Sequence, residues 1–154
     1  MQEIKIVRSY FLDALDGGKA DLIYSIFSKE AEQTFNGYLL IKGVDEIYKS
    51  TVGIGKLFTV FKTDIHDVTA KDQIVYAHIT HTATFIDSTV SGFPSGPIFA
   101  PSRVGPTLLK GQKIHWQAMA RFELNSRGQI QKEWIVRDEL GMLLTAGTLK
   151  FTNP

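Results

Sequence analysis

The spacing of apolar residues changes near Lys62, and this change is the strongest constraint on the fold. Before it, apolar side chains recur every three or four residues, as in Ile4, Val7 and Phe11, which is typical of amphipathic helices. After it they alternate, as they do in strands with one buried face. Helices that precede strands in this way predict an α+β fold, in which a curved antiparallel sheet packs against N-terminal helices.

Length and composition limit the class of protein. The chain has 154 residues, and we predict that residues 1–154 form a single domain. Its formal net charge is +1 and it has no basic stripe, so a nucleic-acid partner is not expected. It has no cysteine, which excludes disulfides and thiolate sites. Neither a signal peptide nor an apolar run of membrane-spanning length is found, so we predict a cytoplasmic protein without a membrane partner.

Two of the predicted strands have one face that is almost entirely apolar. On the first strand this face holds Val75, Ala77, Ile79, His81, Ala83 and Phe85, and on the second it holds Trp116, Ala118, Ala120, Phe122 and Leu124. We expect both faces to point toward the core. His81 is the one strongly polar residue among them, which makes it a candidate functional residue.

A third strand, at about residues 130–138, ends in a carboxylate. Counting alternate residues back from Asp138 predicts one shared face with Val136, Trp134, Lys132 and Ile130, most of which are apolar. This alternation predicts that Asp138 lies beside Trp134 and Val136 on the concave side of the sheet. Desolvation there would favour the protonated carboxyl and suit it to proton transfer near neutral pH.

Both candidates also have a purely structural interpretation. Asp138 precedes the segment ELGMLL and could cap a short helix, a role that aspartate fills well. His81 could be a core histidine bonded to a neighbouring carbonyl. A metal site built from His78, His81 and His115 is not expected, because strand alternation sends His78 and His81 to opposite faces.

The segment between the first two strands is rich in turn-forming residues. Residues 88–112 hold four of the five prolines and four glycines, so regular structure is not expected. Phe93, Ile98 and Phe99 would form a sticky patch if they were exposed together. We therefore predict that the loop from Ser91 to Gln112 covers the mouth of a pocket or contacts a partner.

Three segments give the chain a resemblance to the SnoaL-like polyketide cyclase family. They are Thr80-His81-Thr82, Arg121-Phe122, and a C-terminal set made of Glu133, Trp134, Asp138 and Leu140-Gly141. Residues 10–37 are similar to the helical opening of the wider nuclear transport factor 2-like superfamily. The resemblance implies a cone-shaped α+β barrel, a cystatin-like roll, that encloses an apolar pocket and usually dimerises.

The resemblance also implies a reaction. Cyclases of this family close a ring by intramolecular aldol condensation, without cofactor or metal, and the aspartate that matches Asp138 is the acid/base. His81 would be its partner or an oxyanion donor. The substrate would be a small apolar carbonyl compound, converted by cyclisation or a related isomerisation. The residues expected to contact it are Trp134, Val136, Trp116, Ala118 and Phe122.

Some features leave other functions open. Thr145-Ala146-Gly147 stands where the family commonly ends in Gln-Leu-Gly, so the substrate need not be a polyketide. The chain could instead be a non-catalytic module that binds a small ligand, and an apolar pocket without a titrating carboxylate would favour that alternative. An epoxide hydrolase or isomerase of the same fold is a further alternative. Epoxide-hydrolysing relatives use an aspartate–arginine–aspartate set that does not map onto this sequence.

The face of the sheet opposite the core predicts the assembly. It carries Tyr76, His78, His115, Gln117 and Met119, a mixture suited to a moderately apolar interface. We therefore predict a homodimer formed through this face.

Overall fold

The computed structural model describes residues 1–86, 110–147 and 149–151. Its helices are α1 (Gln2–Ser9), which continues as a π-helix over Tyr10–Asp16, a 3-10 turn over Ala20–Leu22, α2 (Ile23–Ile26), α3 (Val44–Leu57) and α4 (Glu139–Thr145). Its strands are β1 (Phe27–Phe35), β2 (Leu39–Lys42), β3 (Phe58–Lys71), β4 (Ile74–Phe85), β5 (Lys113–Leu124) and β6 (Ile130–Arg137). The predicted α+β class is confirmed, although β1 and β2 precede α3.

The N-terminal helix buries the stripe that its spacing predicts. Val7, Phe11, Ala14 and Leu15 are all buried, and the π-helix ends at Gly17, whose amide donates to the Leu12 carbonyl. The π-helical geometry is uncommon and is often found at functional sites. It leaves the neighbours Tyr10 and Phe11 both buried against the sheet.

The six strands form one mixed sheet in the order β2-β1-β6-β5-β4-β3. Most neighbours are antiparallel, but β1 pairs with β6 in parallel, with Gln33 opposite Glu133 and Phe35 opposite Ile135. The expectation of an antiparallel sheet is corrected on this point. Parallel neighbours need a long crossover. Here the crossover is the chain from the end of β1 at Phe35 to the start of β6 at Ile130. The pairing brings the N-terminal strand beside the C-terminal one.

The alternation predicted for β4 and β5 is confirmed. His81, Val75 and Ile79 on β4 are buried. On β5 every second residue from Ile114 to Leu124 is buried, and the residues between them are exposed or half-buried. The two strands pair without interruption from Ile74 opposite Glu123 to Thr84 opposite Lys113. Their inner faces therefore form the continuous floor on which the helices pack.

The alternation predicted for β6 is wrong. Ile130 is buried, but the next buried residues are Glu133 and Ile135, so the pattern changes face after Ile130. The cause is an irregularity in the pairing with β5, where Leu124 lies opposite Ile130 but Glu123 lies opposite Lys132. One extra residue in a strand sends every later side chain to the other face.

Among the helices of the described residues, none combines the length and the apolar character needed to cross a membrane.

Candidate functional site

A cavity of about 50 Å³ lies between the N-terminal helix, α3 and the inner face of the sheet. Its aromatic lining is Tyr10, Phe11, Phe35, Phe58, Phe61 and Trp116. Its polar lining is Gln33, Ser50, Thr51, His81, Glu133 and Arg137. The register separates the two most informative polar residues: His81 lies opposite Trp116, and Glu133 lies opposite Phe122, six residues further along β5. The cavity therefore has a histidine end and a glutamate end.

At the glutamate end, three side chains from different elements form a hydrogen-bonded cluster. Gln33 Nε2 donates to Glu133 Oε2 and also to the Tyr10 hydroxyl, at 3.1 Å in the second case. Glu133 is 2% exposed. Its other oxygen, Oε1, is buried and has no hydrogen-bond partner among the residues that the structure describes. Buried polar atoms are usually paired, so this oxygen is available to a ligand.

Burial controls the charge of this cluster. Desolvation raises the pKa of Glu133 from 4.5 to about 7, against the lowering effects of Gln33, Tyr10 and Arg137. Burial and the nearby Glu133 also raise the pKa of Tyr10 well above 10, so its phenol remains a neutral donor. Glu133 therefore takes up and releases a proton near neutral pH, as a general acid or base must.

At the histidine end, a chain of hydrogen bonds leads from the N-terminal helix to His81. Asp16 Oδ1 accepts from the Thr63 hydroxyl at 2.7 Å, and Asp16 Oδ2 accepts from the Thr63 amide at 2.7 Å. Thr63 Oγ1 lies 2.9 Å from His81 Nδ1. Burial lowers the pKa of His81 to about 3, with a smaller contribution from the Arg137 charge, so the ring is neutral at physiological pH.

Arg137 lines the cavity and supplies positive charge within it. Its Nη2 is 2.7 Å from Glu139 Oε1, and its guanidinium lies over the Phe35 ring at 5.0 Å. The same charge favours the ionised form of Glu133 and disfavours a charged His81. It is therefore placed to stabilise negative charge that develops on a ligand.

The structure corrects the predicted position of Asp138. This residue is exposed and is the N-cap of α4, where its Oδ1 accepts from the Gly141 amide at 2.8 Å. It does not lie on the concave side, so the prediction that its carboxyl is desolvated there was wrong. The capping alternative is confirmed. The capping carboxylate lies so close to Gly141 that a Cβ added there would fall 2.1 Å from Asp138 Oδ2.

The predicted contact residues separate into three groups. Trp116 is buried and lines the cavity. Ala118 and Phe122 are buried on the same face but belong to the core outside the cavity lining. Trp134 and Val136 are 48% and 43% exposed, so the prediction that they lie on the concave side was wrong. The shift of alternation in β6 accounts for both errors.

Sequence reasoning missed Glu133, Gln33, Tyr10, Asp16, Thr63 and Arg137. Glu133 and Arg137 were assigned to the outer face by the same alternation error. Tyr10 was not counted among the apolar residues of the helical stripe, although it occupies a buried position. One signal in the sequence was that Glu133 and Trp134 are adjacent. A strand with one buried face turns only one of two adjacent side chains inward, so Glu133 was the alternative to Trp134.

Residues 87–109, with Phe93, Ile98 and Phe99, lie outside the described residues, so the covering role of the loop from Ser91 to Gln112 stays a prediction. Within the described ranges, no group of three His, Asp or Glu side chains is arranged to hold a metal ion.

Comparison with known proteins gives a family match. The model of the SnoaL-like domain matches residues 7–133, which is most of the chain and includes both ends of the cavity. A search of curated proteins finds no match.

Solved structures share the fold. A candidate SnoaL-like polyketide cyclase from Jannaschia sp. CCS1 superposes with a TM-score of 0.73 at 16% identity, covering 97% of this chain and 94% of that chain. IdmH, a candidate polyketide cyclase from Streptomyces antibioticus, gives 0.70 at 13%, covering 96% and 99%. An LEH-like epoxide hydrolase from M. tuberculosis gives 0.67 at 14%, covering 94% and 88%. The superpositions establish a common fold, and identities this low leave the reaction open.

Proposed function

From the premise that this chain belongs to the SnoaL-like family, we propose that it is a cofactor-independent acid/base enzyme acting on a small carbonyl compound. The observation that carries the proposal is Glu133, a carboxyl buried in an apolar cavity with a pKa of about 7 and one oxygen without a partner among the described residues. A titrating carboxylate inside the cavity favours an enzyme over a module that only binds.

The reaction follows from these groups. The Glu133 carboxylate removes a proton from the carbon next to a carbonyl. The electron pair of that C–H bond is delocalised onto the carbonyl oxygen, which gives an enolate. Arg137 stabilises the enolate oxygen by its charge. In an isomerisation, Glu133 returns the proton to another carbon. In a cyclisation, the enolate carbon attacks a second carbonyl of the same molecule, and Glu133 protonates the resulting alkoxide.

Proton abstraction can be tested without the natural substrate. Wild-type protein in D₂O should accelerate deuterium incorporation next to the carbonyl of a panel made of acetone, cyclopentanone and acetylacetone, followed by proton NMR. Glu133→Gln keeps the size and the neutral form of the side chain, so it should fold while the acceleration falls by roughly a hundredfold. Asp138→Asn is the matched carboxyl control and should retain the rate. No acceleration by wild type, or an unchanged rate in Glu133→Gln, would overturn the proposal.

An epoxide hydrolase is a second candidate, favoured by one observation. Arg137 is paired with Glu139 and interacts electrostatically with Glu133. A carboxyl, a guanidinium and a second carboxyl therefore follow one another, with Glu133 and Arg137 in the cavity lining and Glu139 next to Arg137. Such a set could activate water at one carboxyl and protonate the epoxide oxygen from the other. Hydrolysis of cyclopentene oxide to its diol, lost in Glu133→Gln and in Glu139→Gln, would favour this candidate over the carbonyl reaction.

The homodimer belongs to the same proposal. The outer face of the sheet exposes Tyr76 and Met119 by 50% and 54%, beside Trp134 and Val136 on the next strand. Exposed apolar side chains that adjoin in this way mark interaction sites. Trp134→Glu would place a charge at the centre of this face, so light scattering should show a dimer for wild type and a monomer for the variant. A wild-type monomer at micromolar concentration would contradict the prediction.

A further inference from the structure

The chain of hydrogen bonds from Asp16 through Thr63 to His81 has no part in the chemistry proposed for Glu133. It joins the end of the N-terminal helix to β3 and β4, at the opposite end of the cavity. Thr63 and His81 are 4% and 5% exposed. An arrangement of buried polar groups determines where each hydrogen must lie, and here this can be worked out atom by atom.

The Thr63 hydroxyl has one hydrogen, and Asp16 accepts it. Both oxygens of the Asp16 carboxylate are used by Thr63, one by its amide and one by its hydroxyl, each at 2.7 Å. Thr63 Oγ1 can therefore only accept from His81 Nδ1, 2.9 Å away. The Nδ1 atom must carry the ring hydrogen, and in a neutral imidazole this leaves Nε2 as an acceptor.

The surroundings of His81 keep it neutral and enclosed. The Phe61 ring lies 4.9 Å from the imidazole and the Trp116 ring lies 5.2 Å from it, measured between ring centroids. Trp116 is the register partner of His81 across β4 and β5. Its Nε1 is a buried donor that has no hydrogen-bond partner within the part of the chain that the structure describes. One end of the cavity thus offers a neutral acceptor and an unused donor side by side.

We infer that this end of the cavity binds a hydroxyl group, which donates to His81 Nε2 and accepts from Trp116 Nε1. A carbonyl can only accept, so it would leave Nε2 unpaired, and a carboxylate would meet the same acceptor with its charge. The inference rests on the proposed function, since it takes the cavity as the substrate site. It narrows the substrate to a carbonyl compound that carries a hydroxyl remote from the reacting carbon. Thr63 and Asp16 are positioning residues, because they act through His81.

The position of the ring hydrogen can be measured directly. Two-bond nitrogen–proton NMR at neutral pH distinguishes the two neutral tautomers and the charged ring, and His81→Gln identifies the His81 signals among the four histidines. Wild type and Thr63→Ser should show hydrogen on Nδ1. Thr63→Val, which has no hydroxyl, should shift the ring toward the Nε2–H tautomer. A wild-type ring that is charged or protonated at Nε2, or a Thr63→Val ring that does not change, would overturn the assignment.

The ligand class is tested with the matched probes cyclopentanol and cyclopentanone, titrated while the His81 nitrogen signals are followed. Wild type should bind the alcohol about tenfold more tightly than the ketone, as expected for one additional hydrogen bond. Thr63→Val should lose or reverse this preference, and Thr63→Ser should restore it. Equal binding of both probes by wild type, no binding of either, or an unchanged preference in Thr63→Val would refute the inference.

These measurements do not depend on turnover. The same titration in Glu133→Gln should keep the preference for the alcohol, because Glu133 belongs to the other end of the cavity. If Glu133→Gln retains full proton exchange but the alcohol preference is found, the proposed chemistry fails and the hydroxyl site stands. If the alcohol preference is absent but Glu133→Gln loses proton exchange, the hydroxyl site fails and the proposed chemistry stands.

Discussion

The two faces of β6 reverse the usual distribution of polar and apolar residues. The inner face carries Glu133, Ile135 and Arg137, and the outer face carries Trp134 and Val136. On β5, which is the neighbouring strand, the inner face is apolar throughout and the outer face is mostly polar. The two strands share a ladder, so their backbone environments are similar. Their difference lies in what each face must contact.

This difference indicates where function is located. An exposed leucine needs no explanation, but a buried charge or a patch of exposed large apolar side chains does. The inner face of β6 holds its polar groups in a cavity where Gln33 donates to one oxygen of Glu133, and the other oxygen has no partner among the residues that the structure describes. The outer face holds apolar groups that we propose a second copy covers. Each face departs from the usual pattern for a different reason.

The largest expected effect tests whether the assignment of the faces is correct. Ile135 is 4% exposed and packs in the main core, whereas Val136, the next residue, is 43% exposed. Ile135→Ala should lower the free energy of unfolding by about 2–5 kcal/mol, because it opens a cavity. Val136→Ala should change it by about 0.5 kcal/mol or less when measured on the monomer, as surface substitutions do. Urea unfolding of both variants gives the comparison.

Each substitution is the control for the other, since both remove methyl groups from one strand. The Trp134→Glu background removes the proposed dimer and so separates folding from association. Equal losses in the two variants would contradict this assignment of the faces. A larger loss for Val136→Ala would mean that the inner and outer faces are exchanged, as the simple alternation from Asp138 predicted.

The fold class and most of the core were predictable because periodicity reports burial wherever pairing is regular. On β4 and β5 the ladder is continuous, and every alternate residue on the apolar face is buried as expected. The N-terminal stripe was predictable for the same reason. His81 was identified because it is a polar residue on such a face, and its partner proved to be the Thr63 hydroxyl rather than a backbone carbonyl.

The other half of the cavity could not be predicted because its geometry depends on irregular structure. The change of face in β6 arises where the pairing with β5 shifts, between Glu123 and Leu124. The parallel pairing that brings Gln33 to Glu133 joins residues that are 100 apart in the chain. Neither feature leaves a local pattern in the sequence, so the buried carboxyl was assigned to solvent and the helix cap to the cavity.

The next prediction uses pH to separate the two ends of the cavity. The pKa of Glu133 rises from 4.5 to about 7 in the folded protein, so folding favours its protonated form and this contribution is lost as the pH rises from 4.5 to 7. The pKa of His81 falls from 6.5 to about 3, so its contribution is complete above pH 6.5 and is lost as the pH falls to 3. The two contributions have opposite slopes and nearly cancel between pH 4.5 and 6.5.

Each slope can be isolated with one variant. The stability of Glu133→Gln relative to wild type should increase by about 3 kcal/mol between pH 4.5 and 7, because wild type loses the contribution of Glu133 over this range and the variant has no such contribution to lose. The stability of His81→Gln relative to wild type should change in the opposite direction between pH 3 and 6.5. Urea unfolding across this range measures both. Relative stabilities that do not vary with pH would show that neither group is desolvated as the structure has it.

The smallest expected effect concerns Asp138, which adjoins β6 but belongs to neither face. Its carboxylate accepts from the Gly141 amide at the start of α4 and is exposed. Asp138→Ala removes the cap and should cost about 1 kcal/mol, whereas Asp138→Asn should cost only a few tenths, because asparagine caps about as well. Both variants should retain the deuterium exchange that Glu133→Gln loses, since this carboxylate lies outside the cavity lining. Unfolding and exchange measured together on Asp138→Asn decide the matter. A variant that folds normally but loses exchange would return the acid/base role to Asp138 and would mean that the solvent-facing end of β6, and not its inner face, carries the chemistry.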